Sequence, residues 1–154
     1  MKVKKIMTAD AGFCFAEENL SKAVEIMRQR DCGVVPVTDS EKKILGMITD
    51  RDIAAATGSS SKPAAKIKVG EVIGKRVVTC LEKDDAEDVL KKMRRAKVKR
   101  LPVVGENGVL VGIVSITDMI LKAPKLKKKI YSVLKAIAKP RPIVLKEIVK
   151  EEKV

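Results

Sequence analysis

Gly46-Met47-Ile48-Thr49-Asp50-Arg51-Asp52 and Gly112-Ile113-Val114-Ser115-Ile116-Thr117-Asp118 share one pattern: glycine, two apolar residues, a hydroxyl residue, two variable residues, aspartate. Their aspartates are 118 − 52 = 66 positions apart, and the surroundings repeat at that offset, so that residues 3–54 align with 69–120 without a gap. About eight pairs are identical: Val3 with Val69, Cys14 with Cys80, Met27 with Met93, Arg28 with Arg94, Pro36-Val37 with Pro102-Val103, Gly46 with Gly112 and Asp52 with Asp118. Residue class agrees more widely, as in Val35 with Leu101 and Thr49 with Ser115. An ungapped match of apolar pattern over this length argues for a duplicated structural unit.

Both copies predict the same elements. Leu20, Ala23, Val24 and Met27, like Ala86, Val89, Leu90 and Met93, recur at i, i+3, i+4, i+7 and mark one apolar helix face. Acidic residues precede each helix (Glu17-Glu18, Asp84-Asp85), where the positive helix end favours them. A short strand follows (34–37, 100–104), then a turn, then a second apolar strand (44–48, 109–114). Asn107-Gly108 reads as a hairpin connection. A short helix begins at Asp50 or Ile116. The order is β-α-β-β-α twice, an α/β (α+β) architecture. A unit this small leaves a sheet face uncovered, so the two copies are expected to pack through their sheets about a pseudo-twofold axis. The expected divisions are 1–56, a linker 57–68 carrying Gly58-Ser59-Ser60-Ser61-Lys62-Pro63, 69–122, and a basic, partly helical extension 123–154. In that extension Ile130, Val133, Leu134 and Ile137 are helically spaced, Pro140 and Pro142 break the pattern, and 143–149 reads as a further short element.

Composition narrows the chemistry. Apolar residues make up 45%, enough for a core, and with only two Phe, one Tyr and no Trp that core is aliphatic. With no histidine there is no Ser-His-Asp triad, no His-ligated metal and none of the usual general bases near neutral pH. Cys14, Cys32 and Cys80 fit neither a disulfide framework nor a zinc site and read as small apolar residues in a reducing compartment. No apolar run approaches the roughly 18 residues of a membrane span, and MKVKKIMTAD is not a signal peptide. The expectation is a soluble, cytoplasmic, non-catalytic protein without a metal.

The quoted heptapeptides admit two compatible readings. Ser/Thr-x-x-acid ahead of an amphipathic stretch is a helix N-cap. A hydroxyl at a strand-to-helix junction also sits beside unpaired N–H groups, a setting for phosphate, and an aspartate one turn later can accept from two vicinal hydroxyls of a ribose.

The stretches IMTAD, GVVPV and LGMITDRDI in the first copy, with KRLPVV and VGIVSITDMI in the second, resemble a tandem pair of CBS domains over about residues 1–122. The resemblance implies clefts between the copies that take adenosyl ligands: AMP, ADP, ATP or S-adenosylmethionine. It also implies a regulatory module that commonly forms homodimers shaped as flat disks. The family's ribose-contacting positions fall on Thr49 and Asp52, and on Ser115 and Asp118. Its phosphate-contacting basic positions fall on Lys99 and Arg100, which would approach the Thr49/Asp52 pocket across the pseudo-twofold. Gly33 and Val34 stand at the equivalent places in the first copy, so the second pocket would lack that charge. Adenine would rest against apolar backbone near Val35 and Met47. Lys99 and Arg100 also read as ordinary solvated charge. Ala11-Gly12-Phe13-Cys14-Phe15-Ala16 departs from the family pattern, and its phenylalanines fit either core packing or stacking on a base.

The leading functional expectation is a sensor of adenine nucleotides, and so of energy state, that acts in trans on a protein partner. The alternative is nucleic-acid binding through the Lys-rich extension, about 125–141. Residues 122–154 hold eleven basic and three acidic side chains of a chain with net charge +13.

Overall fold

The computed structural model describes residues 1–74 and 76–140. Arg141, Pro142 and the element expected at 143–149 lie outside the described residues. In chain order the elements are β1 (Thr8–Ala9), β2 (Cys14–Phe15), α1 (Leu20–Arg30), β3 (Val34–Thr38), β4 (Ile44–Thr49), α2 (Asp50–Gly58), α3 (Val69–Val72), β5 (Cys80–Leu81), α4 (Ala86–Ala96), β6 (Arg100–Val104), β7 (Leu110–Ser115), α5 (Ile116–Lys122) and α6 (Lys127–Ala138). The predicted β-α-β-β-α order is present twice, as β2-α1-β3-β4-α2 and β5-α4-β6-β7-α5.

Helix α1 starts where Asn19 Oδ1 accepts from Lys22 N at 3.2 Å, and it buries Leu20, Ala23, Ile26 and Met27. It ends at Asp31, and α4 ends at the equivalent Lys97; both are left-handed, with φ of 48° and 55°. The hairpin turns also correspond: Gly108 has φ 80°, as Asn-Gly leads one to expect, and Lys42 stands in its place in the first copy with φ 64°. In the first turn Asp39 replaces the missing glycine's contribution, its Oδ1 accepting from Glu41 N and Lys43 N at 2.9 Å each.

Each sheet buries one face against its own helices. Val35, Val37 and Ile48 join α1 in one core, and Leu101, Val103 and Val114 join α4 in the other. Because side chains alternate along a strand, the opposite faces carry Val34, Pro36, Met47 and Thr49 in the first copy and Arg100, Pro102, Ile113 and Ser115 in the second. Val34, Val104 and Leu110 are buried without belonging to either helix-backed core. Where the hairpins meet, Leu110 N donates to Lys42 O at 2.9 Å and Ile44 N to Gly108 O at 3.5 Å. These two bonds exchange under the 66-residue offset, as a pseudo-twofold requires.

The copies also exchange their leading segments. Strand β1 pairs antiparallel with β7 of the second copy, Thr8 opposite Ile113 and Ala9 opposite Gly112. Val3 and Ile6 are fully buried in the second core. Reciprocally, Ile67 and Val69 belong to the first core. Val3 N donates to Asp84 O at 2.9 Å and Val69 N to Glu18 O at 2.8 Å; Ala86 N donates to Met1 O at 2.8 Å and Leu20 N to Ile67 O at 2.9 Å. Both pairs are again related by 66. Glycine permits the crossing on β7: a Cβ on Gly112 would stand 2.6 Å from Thr8 O.

Beyond α5 the two-fold correspondence ends. Helix α6 folds back on α4 and α5, burying Ile130 and Val133 in the second core with Leu134 and Ile137 packed at its edge. These are the four residues whose spacing predicts a helix.

Candidate functional site

Both strand-to-helix junctions are closed by the same four-residue device. Thr49 caps α2 in extended backbone (φ −109°, ψ 162°); its side chain accepts from Asp52 N at 3.1 Å while Asp52 Oδ2 accepts from Thr49 N at 2.9 Å. Ser115 and Asp118 repeat this at α5, with distances of 3.1 and 2.8 Å. The capping reading of the motif is therefore realised in full. Each box uses one carboxylate oxygen, and among the described residues nothing donates to Oδ1 of either aspartate. Both aspartates are half-buried.

The two junctions differ in their hydroxyls and in their charge. Ser115 Oγ lies 2.8 Å from Asp118 Oδ2 and donates to it, so its proton is used internally. Among the described residues, Thr49 Oγ1 has no corresponding acceptor. The start of α2 is tied to the residue just ahead of β3 by Asp50 N donating to Gly33 O at 2.9 Å, and that of α5 to the residue just ahead of β6 by Ile116 N donating to Lys99 O at 2.8 Å. The first junction thus carries an acid above a glycine: a Cβ on Gly33 would stand 2.9 Å from Asp50 Oδ2. At the second, Lys99 and Ile116 occupy those places.

Of the residues singled out by sequence, the structure groups Lys99, Arg100, Ser115 and Asp118 at one junction and Thr49, Asp52 and Met47 at the other. Arg100 is directly opposite Ser115 in the β6/β7 ladder, on the sheet face turned away from α4, and is half-buried; Lys99 is exposed. Met47 lies on the corresponding face of β4 and is half-buried. Val35 points the other way: it is fully buried in the core beneath α1, so only its backbone is available to a ligand. A cleft of about 550 Å³ touches the first junction through Gly33, Asp50 and Ile53; Thr49 and Asp52 are not in its lining.

Phe13 and Phe15 meet edge to face with centroids 5.6 Å apart, outside both cores, and the Lys42 ammonium lies 5.0 Å from the Phe13 centroid. Alternation along a single sequence does not reveal this pairing, because Lys42 comes from the β3–β4 turn of the same copy, 29 positions from Phe13 (42 − 13). Cys14 and Cys80 occupy equivalent buried positions, and burial pushes each thiol up to about 12. Among the described residues no three His, Cys, Asp or Glu side chains cluster as metal ligands.

Comparison with known proteins bears on this pair of junctions. The family model for the CBS domain matches residues 3–58 and again 69–124. The chain belongs to the CBS-domain family. Each match spans one junction. A Bacillus subtilis relative, uncharacterized protein YlbB, is 31% identical over 121 residues, 78% of this chain and 80% of its own length. The homoserine O-acetyltransferase of Methanococcus vannielii is 30% identical over 113 residues, but the match spans only 23% of that protein. Among solved structures, hypoxic response protein I with two coordinated zinc ions superposes with a TM-score of 0.74 at 27% identity, covering 80% of this chain and all of that one. The CBS-domain pair of protein MJ0100, in complex with 5′-methylthioadenosine and S-adenosyl-L-methionine, gives 0.70 at 26% identity, covering 81% and 98%. The fold is that of a CBS pair. Among the described residues no helix is long and apolar enough to cross a membrane.

Proposed function

We propose that this CBS pair is a non-catalytic regulatory module that binds an adenosyl ligand at the junctions between its copies and acts in trans on a protein partner. The observation that carries the proposal is the free Oδ1 of Asp52 beside a hydroxyl whose proton is uncommitted. A carboxylate in that position can accept both hydroxyls of a ribose, and Thr49 Oγ1 can donate to a neighbouring phosphate or ribose oxygen. The adenosyl compounds bound by the MJ0100 pair support the ligand class. AMP, ADP, ATP and S-adenosylmethionine are the candidates within it.

The site at Thr49 and Asp52 is the stronger of the two. Although Arg100 stands opposite Ser115 and Lys99 is tied to the start of α5, on this reading both reach this site across the pseudo-twofold to supply the positive charge for phosphate, with Met47 and the backbone at Val35 as the apolar seat for adenine. At Ser115 and Asp118 the hydroxyl is already committed to the carboxylate. Ligand bound between the sheets favours one packing of the copies over another, and that difference is the signal. Homodimerisation would present the signal to the partner twice.

The test is calorimetric titration of AMP, ADP, ATP and S-adenosylmethionine into the wild type, Asp52→Ala and Asp118→Ala. Saturable binding of one of them is expected, weakened at least about tenfold by Asp52→Ala, since hydrogen bonds to a charged acceptor contribute about 1.5–3 kcal/mol each. Asp118→Ala should change it little. If no ligand gives saturable heat with the folded protein, the proposal fails; equal losses in the two variants would remove the asymmetry.

A further inference from the structure

Much of the positive charge behind the net +13 falls in two runs of the second half of the sequence. Residues 89–104 hold seven basic and no acidic side chains, and residues 123–140 hold six and none. The packing of α6 against α4 brings the helical part of the first run, Lys91, Lys92, Arg94 and Arg95, beside the second; Arg100 lies on the sheet face turned away from α4. Acids from the start of the helix region neutralise part of this charge: Asp88 pairs with Lys91 at 2.9 Å, Asp84 with Lys92 at 2.9 Å, and Glu87 with Lys129. Of the thirteen cations, the other ten have no acid within 4 Å among the described residues.

Within this surface is a shaped feature. Arg94 of α4 and Tyr131, Ser132, Lys135, Ala136 and Lys139 line a cleft of about 330 Å³. Lys128, Tyr131, Lys135 and Lys139 form one stripe along the helix, at i, i+3, i+7 and i+11, opposite the Ile130/Val133 stripe that enters the core. Tyr131 is the chain's single tyrosine, and it is 67% exposed on a helix whose apolar face is already filled. It contributes little to the core from there.

We infer that the α4/α6 cleft binds single-stranded nucleic acid, one base stacking on Tyr131 while Arg94, Lys135 and Lys139 hold the flanking phosphates. An aromatic ring set among unpaired cations is what an unpaired strand needs, because every base offers a π-face and every linkage a charge. A membrane surface would require large apolar side chains projecting beside the lysines, and here those of α6 are turned inward. The inference is independent of the adenosyl site.

The test is fluorescence anisotropy of a labelled oligouridylate titrated with the full chain at 50 and 200 mM salt. Three phosphate contacts predict a log–log salt slope of about −2, hence about 15- to 20-fold weaker binding at the higher salt. Tyr131→Ala should weaken binding at least about fivefold, and Lys135→Gln combined with Lys139→Gln should bring the slope toward −1. All three side chains are exposed, so thermal unfolding of the variants should match the wild type and exclude misfolding. The inference is overturned by an absence of saturable binding at 50 mM salt, by a Tyr131→Ala variant that binds like the wild type, or by equal affinity for a duplex or polyglutamate.

Discussion

Gly112→Ala tests the exchange of leading segments directly. The new methyl would be placed 2.6 Å from Thr8 O and 3.1 Å from Met7 Sδ. The sulfur can rotate away, but the carbonyl is part of the backbone of β1, which must move by most of an ångström to restore ordinary contact. That movement lifts Thr8 and Ala9 off β7 and loosens Ile6, which is 1% exposed in the second core. Overpacking of this kind costs about 1–3 kcal/mol, from which about 0.5 kcal/mol is recovered because alanine loses less backbone entropy than glycine. A net loss of about 1.5 kcal/mol lowers Tm by about 3–6 °C in a chain of this size. Gly46→Ala is the internal control. Its methyl would meet Ile73 Cδ1 at 3.1 Å, the far end of a half-buried side chain that can swing aside. Its expected cost is within about 0.5 kcal/mol of zero once the entropy gain is included. Thermal unfolding by circular dichroism reads both. Should the two variants melt together, or Gly112→Ala melt within a degree of the wild type, the N-terminal segment is not seated as described.

Ile130→Ala, which opens a void where α6 enters the second core, should destabilise by about 2–4 kcal/mol, measured by urea unfolding. A loss below about 0.5 kcal/mol would mean that α6 is not docked. At pH 8 a thiol reagent should label Cys32 fast and leave Cys14 and Cys80 slow until the chain unfolds, since burial raises the latter two to about 12. The same shifts fix a sign. A thiol whose pKa is higher folded than unfolded contributes stability that is complete below its unfolded value near 9 and is lost as pH climbs toward 12. Unfolding midpoints should therefore fall across that interval, and a flat profile there would contradict the burial of both cysteines.

The duplicated unit was legible because its evidence is periodic. Apolar residues at helical spacing, alternating strands and the Thr49/Asp52 and Ser115/Asp118 heptapeptides all repeat at 66, and each became an element or a cap. The partner of a buried face was not legible. Val3 and Val69 announce themselves as equivalent and apolar, but nothing in a two-residue strand says that it completes the other copy. Val35 shows the same limit at the site. Its neighbourhood marks an apolar wall, while only the register with Ile48 shows that its side chain belongs to the core. The difference between the hydroxyls of Thr49 and Ser115 is a matter of hydrogen-bond direction, which residue type does not encode.

The segment exchange also sets an order of assembly during synthesis. The first core needs Ile67 and Val69 and can close as soon as the chain has passed them. The second cannot close until β7 is made and returns to β1, a pairing of Thr8 with Ile113 across 113 − 8 = 105 positions. Pairings this distant in sequence are the slow ones. Thr8 and Ala9 therefore wait until Gly112 and Ile113 have been made before finding their place. Val3 and Ile6 just before them share one core with Ile130 and Val133, so removing the segment ahead of β2 or helix α6 damages the same half of the molecule.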